Sequence, residues 1–160
     1  MPSLNPHRPD IAFIPTPEDA IAAMLTLAQV GASDRLYDLG CGDGRLLIQA
    51  AVQYGTQGVG IDIDPDQIAQ AQQHADRAGV GDRLTFRQAN LYESDFRDAT
   101  VVALYLLPHL NLQLRPQLWA QLRPGSRVVS HQFDMGDWSP TQVLKLEASA
   151  EDSTVYLWVV

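Results

Sequence analysis

Short strand-like segments alternate with helix-spaced segments between residues 35 and 133. The strand-like segments are RLYDLG, GVGIDID, RLTFRQAN, VVALYLL and GSRVVSHQF. Apolar positions recur at helical spacing in GRLLIQAAVQYG, PDQIAQAQQHADRAG and NLQLRPQLWAQLRPG, although Pro116 should end or kink the last of these. Strands that alternate with helices predict a parallel sheet that is covered on both faces.

The two ends of the chain depart from this alternation. Near the start, FIPTPEDAIAAMLTLAQVG predicts a helix with Thr16 as its N-cap, Pro17 as its first residue and Gly31 at its end. At the other end, only AEDS separates VLKLEAS from TVYLWVV, which leaves no room for a helix and predicts a β-hairpin. The pattern therefore predicts five parallel strands and a terminal hairpin in one mixed sheet.

Length and composition are typical of one globular domain. The chain has 160 residues, of which 46% are hydrophobic, so we expect a single domain over residues 1–160. Within it we expect a flexible arm at 1–9 and an N-terminal segment and helix at 10–31. No apolar run is long enough to cross a bilayer, and MPSLNPHRPD lacks the features of a secretory signal. We therefore expect a cytoplasmic protein that does not bind membranes.

The net charge and the cysteine count disfavour several kinds of function. A formal net charge of −8 disfavours binding to the phosphate backbone of nucleic acids, which needs a basic surface. Cys41 is the only cysteine, which excludes an internal disulfide and a zinc knuckle, and we expect no metal site. Cys41 is better explained as a small residue in a tight turn than as a reactive thiol, because the sequence places no base near it.

The segment YDLGCGDGR follows the first strand and is rich in glycine. In open α/β sheets, ligands bind at the carboxyl ends of the strands, where the strand order reverses. Gly40, Gly42 and Gly44 would let a ligand lie against the main chain, as dinucleotides and S-adenosylmethionine do. Arg45 stands where a dinucleotide fingerprint needs a small residue. Asp38 suits a cationic amino group better than a polyphosphate, so the pattern favours S-adenosylmethionine.

Polar residues also stand at the ends of the next two strands. Asp62 closes the second strand, where a carboxylate can bind both hydroxyls of a ribose. Asn90 closes the third strand, and its amide and the backbone beside Ala89 are predicted to meet the edge of an adenine. Together with Asp38, these strand ends follow the order of a nucleoside from its amino-acid tail to its base.

Each of these residues also has a purely structural explanation. Asp38 would then cap the turn that follows it, and Asp62, Asp64 and Asp66 would be solvated loop charges, with Asp64 starting a helix at Pro65. Asn90 would stabilise a turn in the left-handed conformation.

The segments YDLGCGDGR, GVGIDID and RLTFRQAN resemble the successive motifs of class I S-adenosylmethionine-dependent methyltransferases. The resemblance extends over nearly the whole chain and implies an α/β fold, a Rossmann-like three-layer sandwich with a mostly parallel seven-stranded sheet and an antiparallel strand in the C-terminal hairpin. It implies S-adenosyl-L-methionine as cofactor, bound by Asp38, Gly40, Gly42, Gly44, Asp62, Ile63, Ala89, Asn90 and Tyr105.

A narrower resemblance involves FIPTPEDAIAAML and LYLLPHLNLQLRPQLWAQLRPGSRVVSHQFDMGDW. These segments are similar to the small protein-lysine methyltransferases, in which the segment that corresponds to Phe13, Ile14, Pro15 and Thr16 helps to close the cofactor site. The resemblance therefore implies that Thr16 contacts the cofactor.

The acceptor site of such an enzyme is predicted to follow the fourth strand, with Tyr105, His109 and Asn111 as candidate catalytic residues. Here the chain has LYLLPH, whereas many methyltransferases that act on nucleic-acid bases or glutamine have [N/D]-P-P-[Y/F]. This departure counts against base amino groups as acceptors. Tyr105 either orients an amine or is a core aromatic, and His109 either accepts a proton or packs at a helix start.

The residues at the end of the fifth strand and after it are expected to be structural. His131 lies inside that strand, and Asp134, Asp137 and Trp138 form either an acidic loop, which we favour, or a rim for a basic substrate.

The expected activity is methyl transfer to a lysine presented by a protein substrate, with no nucleic acid as partner. The chain holds hardly more than a cofactor-binding core, and an open site suits a protruding side chain. The alternatives are a methyltransferase for a small amine or metabolite, a cofactor-binding protein without catalysis and, least favoured, a nicotinamide-dependent oxidoreductase.

Overall fold

The computed structural model describes residues 16–146 and 153–160. The helices are α1 (Glu18–Leu27), α2 (Arg45–Tyr54), α3 (Pro65–Arg77) and α4 (Pro108–Gln121), with a short 3₁₀ helix at Leu91–Glu93. The strands are β1 (Arg35–Leu39), β2 (Gln57–Asp62), β3 (Leu84–Gln88), β4 (Val101–Leu104), β5 (Arg127–His131), β6 (Gln142–Leu146) and β7 (Ser153–Val159).

All of these strands form one seven-stranded sheet in the order β3-β2-β1-β4-β5-β7-β6. β1 to β5 are parallel, whereas β7 lies antiparallel between β5 and β6. This is the predicted mixed sheet with a terminal hairpin. The strand order reverses between β1 and β4, so the carboxyl ends of these two strands border the crevice where ligands bind in open α/β folds.

The sheet is the middle of three layers. On one face, side chains of α1, α2 and α3 pack on the strands, among them Met24, Leu47 and Ala75 against Leu36, Val101 and Val129. On the other face, α4 and the segment before β4 pack on the sheet, among them Leu114, Leu118 and Phe96 against Leu39, Leu104 and Trp158. Since both faces are covered, every residue of β4 is buried, which explains its lack of polar positions. Within the described chain, no helix has the length and apolarity that a membrane span requires.

The helix ends differ from the predicted ones. α1 begins at Glu18, with Pro17 rather than Thr16 at the N-cap and no side-chain cap, so the prediction for Thr16 was wrong by one residue. α1 ends at Leu27, well before Gly31. The predicted arm at 1–9 and the segment at 10–15 lie outside the described residues.

The last helix also differs from its prediction. α4 starts at Pro108, within the predicted acceptor segment, and continues through Pro116, which does not end it. Leu114 and Leu118 of α4 are completely buried against the sheet. Burial on both sides of Pro116 offsets the loss of one backbone hydrogen bond.

We predict that Gly44→Ala destabilises the fold more than Gly55→Ala. Both glycines are left-handed, at φ +83° and +69°, so either change costs roughly 1–2 kcal/mol of backbone strain. A Cβ on Gly44 would in addition lie 2.9 Å from Ala71 and 3.1 Å from Phe86, an overlap worth about 1–3 kcal/mol more. Urea unfolding of the two variants measures the difference, and equal losses would contradict the packing role of Gly44.

Candidate active site

The glycine loop, residues 40–44, leaves the carboxyl end of β1 and leads into α2. Gly40, Gly42 and Gly44 have φ of +91°, +55° and +83°, a region that other residues rarely adopt. Here the glycines are required by backbone conformation, whereas the sequence analysis explained them by the close approach of a ligand.

Backbone hydrogen bonds fix this loop to the end of β2. The N–H groups of Gly40 and Cys41 donate to the carbonyl of Ile61, at 2.7 and 3.0 Å. The N–H of Gly42 donates to Asp62 Oδ2 at 2.9 Å. The loop is therefore held in one shape before any ligand arrives, which lowers the entropic cost of binding.

Asp62 lies at the carboxyl end of β2 and is held on both oxygens. Its Oδ1 accepts the N–H of Asp64 at 2.9 Å, and burial raises the pKa of Asp62. A carboxylate has about four acceptor positions, so these two bonds leave room for the hydroxyls of a ribose. Asp64 accepts the N–H of Asp66 at 2.9 Å, which confirms it as the N-cap of α3.

Asp38, next to the end of β1, is a buried carboxylate whose pKa is raised to about 7. Burial is the main cause, and the negative charges of Asp62 and Asp43 add to it. Among the described residues, none donates a hydrogen bond to its side chain, so the structure does not support a turn-capping role. A buried acid without a partner is costly, and a bound ammonium group would remove that cost.

The end of β3 lies beside Asp62. The N–H of Ala89 donates to the carbonyl of Asp62 at 3.0 Å. Asn90 caps the short 3₁₀ helix, with its Oδ1 accepting the N–H of Tyr92 at 3.0 Å. Its φ of −80° shows that the left-handed turn considered for Asn90 is wrong. The three predicted strand ends, at Asp38, Asp62 and Asn90, thus lie at one edge of the sheet.

The side chains of Cys41 and Arg45 are both held by the protein itself. Cys41 is buried, and burial together with the charge of Asp38 raises the pKa of its thiol, which supports the structural explanation of this residue. Arg45 donates from Nε and one terminal nitrogen to Asp43, at 3.1 and 2.7 Å. Its guanidinium is thereby bound to the adjacent carboxylate.

The first turn of α1 comes to the same edge of the sheet. Asp19, in this turn, is close enough to His131 at the end of β5 for its charge to raise the pKa of His131, although burial lowers that pKa overall. The pKa of Arg45 is raised first by its bond to Asp43, and Glu18 contributes. Thr16 lies two residues before α1 and is half-buried.

Tyr105 follows β4 and lies beside the glycine loop. Its neighbour Leu106 has Cδ2 3.4 Å from the position that a Cβ on Gly40 would take. Tyr105 is half-buried rather than enclosed in the core. Its ring packs against His131, with centroids 4.5 Å apart, and lies nearly parallel to the ring of Phe133 at 6.2 Å.

The other two candidate catalytic residues lie at the start of α4. His109 is exposed there, and its role as a proton acceptor stays a prediction. Asn111 is completely buried, and its Nδ2 donates to the carbonyls of Phe133 and Asp134, at 3.3 and 3.1 Å. Its amide holds the chain that follows β5, and this placement gives no support to direct contact with an acceptor.

The residues at the end of β5 and directly after it include structural ones and one site residue that the sequence analysis missed. His131 is buried with Nε2 3.0 Å from Ser153 Oγ, as expected of a structural residue. Asp134 accepts the N–H of Gly136, and Asp137 pairs with Arg115, which supports the acidic-loop interpretation. Phe133 was overlooked as a site residue because the predicted fifth strand, GSRVVSHQF, included it as its last residue, whereas β5 ends at His131.

Comparison with known proteins identifies the family. The sequence pattern of the ANTKMT methyltransferase domain matches residues 38–142. The chain belongs to the ANTKMT methyltransferase domain family. The matched region contains the glycine loop, Asp62, Asn90, Tyr105 and Phe133.

The proteins that are similar to this chain are described as methyltransferases. A protein-lysine N-methyltransferase of Saccharolobus islandicus is 40% identical over 153 residues, 95% of each chain. The mouse adenine nucleotide translocase lysine N-methyltransferase is 31% identical over 140 residues, 87% of this chain but 60% of its own length. A crystal structure described as an RNA methyltransferase from Salinibacter ruber, in complex with S-adenosyl-L-homocysteine, is 52% identical, with a TM-score of 0.88 over 92% of this chain and 94% of that one.

The ANTKMT-family chain is therefore an S-adenosylmethionine-dependent methyltransferase, and its residues fit that cofactor. Asp38 offers a buried negative charge to the cofactor's amino group, and the glycine loop places its main chain beside the end of β1. Asp62 offers acceptors for the ribose, and Ala89 and Asn90 directly follow the neighbouring strand β3. Direct contacts of these residues, of Ile63 and of Thr16 with the cofactor stay predictions.

We predict that S-adenosylhomocysteine binds more tightly as pH rises. Binding of the cationic amino group needs an ionised Asp38, and below its pKa of about 7 the protonated form dominates. The affinity should therefore increase about tenfold per pH unit up to about pH 7 and level off above it. Calorimetry over this range provides the measurement, with Asp38→Asn as control. The variant should bind weakly at every pH, and an unchanged slope would exclude Asp38 as the titrating group.

We predict that Asp62→Ala weakens S-adenosylhomocysteine binding roughly 10- to 100-fold, because ribose hydroxyls and the N–H of Gly42 lose a charged acceptor. Asp64→Ala is the matched control. It removes the α3 cap and should lower the unfolding free energy by about 1 kcal/mol while leaving affinity unchanged. Equal affinities of Asp62→Ala and the unmodified chain would rule out the ribose role.

Proposed function

We propose that this chain transfers methyl groups from S-adenosylmethionine to lysine side chains of proteins. The observation that carries the proposal is the match to the Saccharolobus protein-lysine N-methyltransferase, which extends over 95% of both chains. At that coverage the two proteins share the cofactor-binding core and the segments after β4 and β5 where an acceptor enters.

The chemistry needs alignment, exclusion of water and a neutral amine. When bound, S-adenosylmethionine supplies a methyl group on a sulfonium sulfur, so that the amine lone pair forms the new C–N bond while the C–S electron pair stays on sulfur. An ammonium group has no lone pair and must first release a proton to water. The apolar surroundings of Tyr105, Leu106 and Phe133 disfavour the charged form and lower the pKa of a lysine that enters there.

RNA is the second candidate acceptor. The Salinibacter structure, which is 52% identical, is described as an RNA methyltransferase. The net charge of −8 argues against this acceptor, because binding to RNA phosphates needs a basic surface. The segment LYLLPH also lacks the [N/D]-P-P-[Y/F] pattern of many enzymes that methylate bases.

Incubation of the purified chain with methyl-labelled cofactor and a cell lysate tests the proposal. We expect label in acid-precipitable material that protease releases and ribonuclease does not, and mass spectrometry should locate it on lysine. Asp38→Asn is the control and should transfer little label. Label released by ribonuclease would favour the RNA alternative, and label only in the soluble fraction would favour a small amine. Binding of S-adenosylhomocysteine without any transfer would indicate a protein without catalysis.

A further inference from the structure

Two aromatic rings lie at neighbouring strand ends beside the glycine loop. Tyr105 follows β4 and Phe133 follows β5, and these strands pair in parallel. The ring centroids are 6.2 Å apart and the planes differ by only 15°. We propose that Tyr105 and Phe133 form the subsite that binds the aliphatic stem of the acceptor lysine. This inference rests on the proposed function and names the residues that recognise its substrate.

The backbone of Phe133 is held by several hydrogen bonds. Its carbonyl accepts from Ser130 Oγ at 2.7 Å and from Asn111 Nδ2 at 3.3 Å. Its N–H donates to the carbonyl of His131 at 2.9 Å. The partners Ser130 and His131 belong to β5, and Asn111 belongs to α4, so the backbone that carries the Phe133 ring is fixed from two elements. Such support is what a preorganised binding residue requires.

The residue before Phe133 has a strained backbone. Gln132 has φ +71°, in the left-handed region that residues with a Cβ rarely adopt. Two hydrogen bonds with Thr154 of β7 hold it there. The N–H of Gln132 donates to the carbonyl of Thr154 at 2.7 Å, and the N–H of Thr154 donates to Gln132 Oε1 at 2.9 Å. Strain that the surroundings enforce is found mainly at binding and catalytic sites. Here it turns the chain directly after β5 and brings Phe133 beside Tyr105.

The surroundings of the two rings suit a lysine stem. Tyr105 also packs against the buried His131, at 4.5 Å between centroids, so the wall formed by Tyr105 and Phe133 is supported from within the fold. Burial lowers the pKa of His131, which leaves its imidazole neutral at physiological pH and adds no positive charge near the entering amine. Flat aromatic faces bind methylene groups by dispersion and exclude water, which favours the neutral amine.

The two rings lie near the glycine loop, where the acceptor is expected to enter. Leu106, next to Tyr105, lies close to Gly40, because a Cβ added to that glycine would be 3.4 Å from Leu106 Cδ2. Leu104 of β4 pairs with Leu39, the residue before the glycine loop, so the backbone of Tyr105 lies next to the loop expected to bind the cofactor. A lysine along the two rings would approach that loop from the ends of β4 and β5.

Steady-state kinetics with poly-L-lysine as the acceptor test the subsite. We expect Phe133→Ala and Phe133→Leu to raise KM for poly-L-lysine about tenfold while kcat changes little, because the ring contributes ground-state and transition-state binding equally. Phe133→Tyr keeps the ring and should stay within about twofold of the unmodified chain. Trp119→Ala, which removes an exposed aromatic on α4, is the control and should leave KM unchanged. Calorimetry should give the same S-adenosylhomocysteine affinity for all variants.

The outcomes separate this inference from the proposed function. If the unmodified chain methylates poly-L-lysine and Phe133→Ala has the same KM, the subsite is wrong and the function stands. If Phe133→Leu weakens S-adenosylhomocysteine binding as much as it raises KM, Phe133 is structural and the subsite is wrong. If the unmodified chain methylates neither poly-L-lysine nor lysate protein, the proposed function is wrong and the subsite with it.

Discussion

The backbone and carboxylate of Asp62 connect three parts of the chain at one edge of the sheet. Its two oxygens accept the N–H groups of Gly42 and Asp64, and its carbonyl accepts the N–H of Ala89. The glycine loop, the start of α3 and the end of β3 are therefore fixed relative to β2. Glycines otherwise sample many conformations, so this anchoring is what turns a flexible stretch into a preformed binding surface.

The same edge has an unbalanced negative charge. Asp38 is buried without a donor from the described residues, and its pKa is raised to about 7 by burial and by Asp62 and Asp43. This arrangement is unfavourable for the protein alone and favourable once a positively charged nucleoside binds. On the other side of the crevice, Tyr105 and Phe133 give an apolar surface that disfavours charge on an entering amine. The expected cofactor side and the proposed acceptor side thus differ in electrostatics as methyl transfer requires.

Much of the fold could be predicted because its signals are local. Alternating strand and helix patterns predicted the parallel sheet, and the four-residue spacing AEDS predicted the hairpin that places β7 antiparallel to β5. The helix ends were less well predicted. Pro116 lies inside α4 because Leu114 and Leu118 pack on the sheet, and such tertiary packing outweighs a local helix breaker.

The sequence by itself determined which polar residues meet at the cofactor edge. The carboxyl ends of parallel strands share one side of a sheet, so the predicted parallel sheet placed Asp38, Asp62 and Asn90 at one edge, and the observed order β3-β2-β1 makes their strands neighbours. Only the tertiary structure decided the acceptor side. The place of Phe133 depends on Asn111 of α4 and on Thr154 of β7, which holds Gln132 in a strained conformation. These contacts join residues about 20 positions apart in the chain, and no local pattern of hydrophobic and polar residues encodes them.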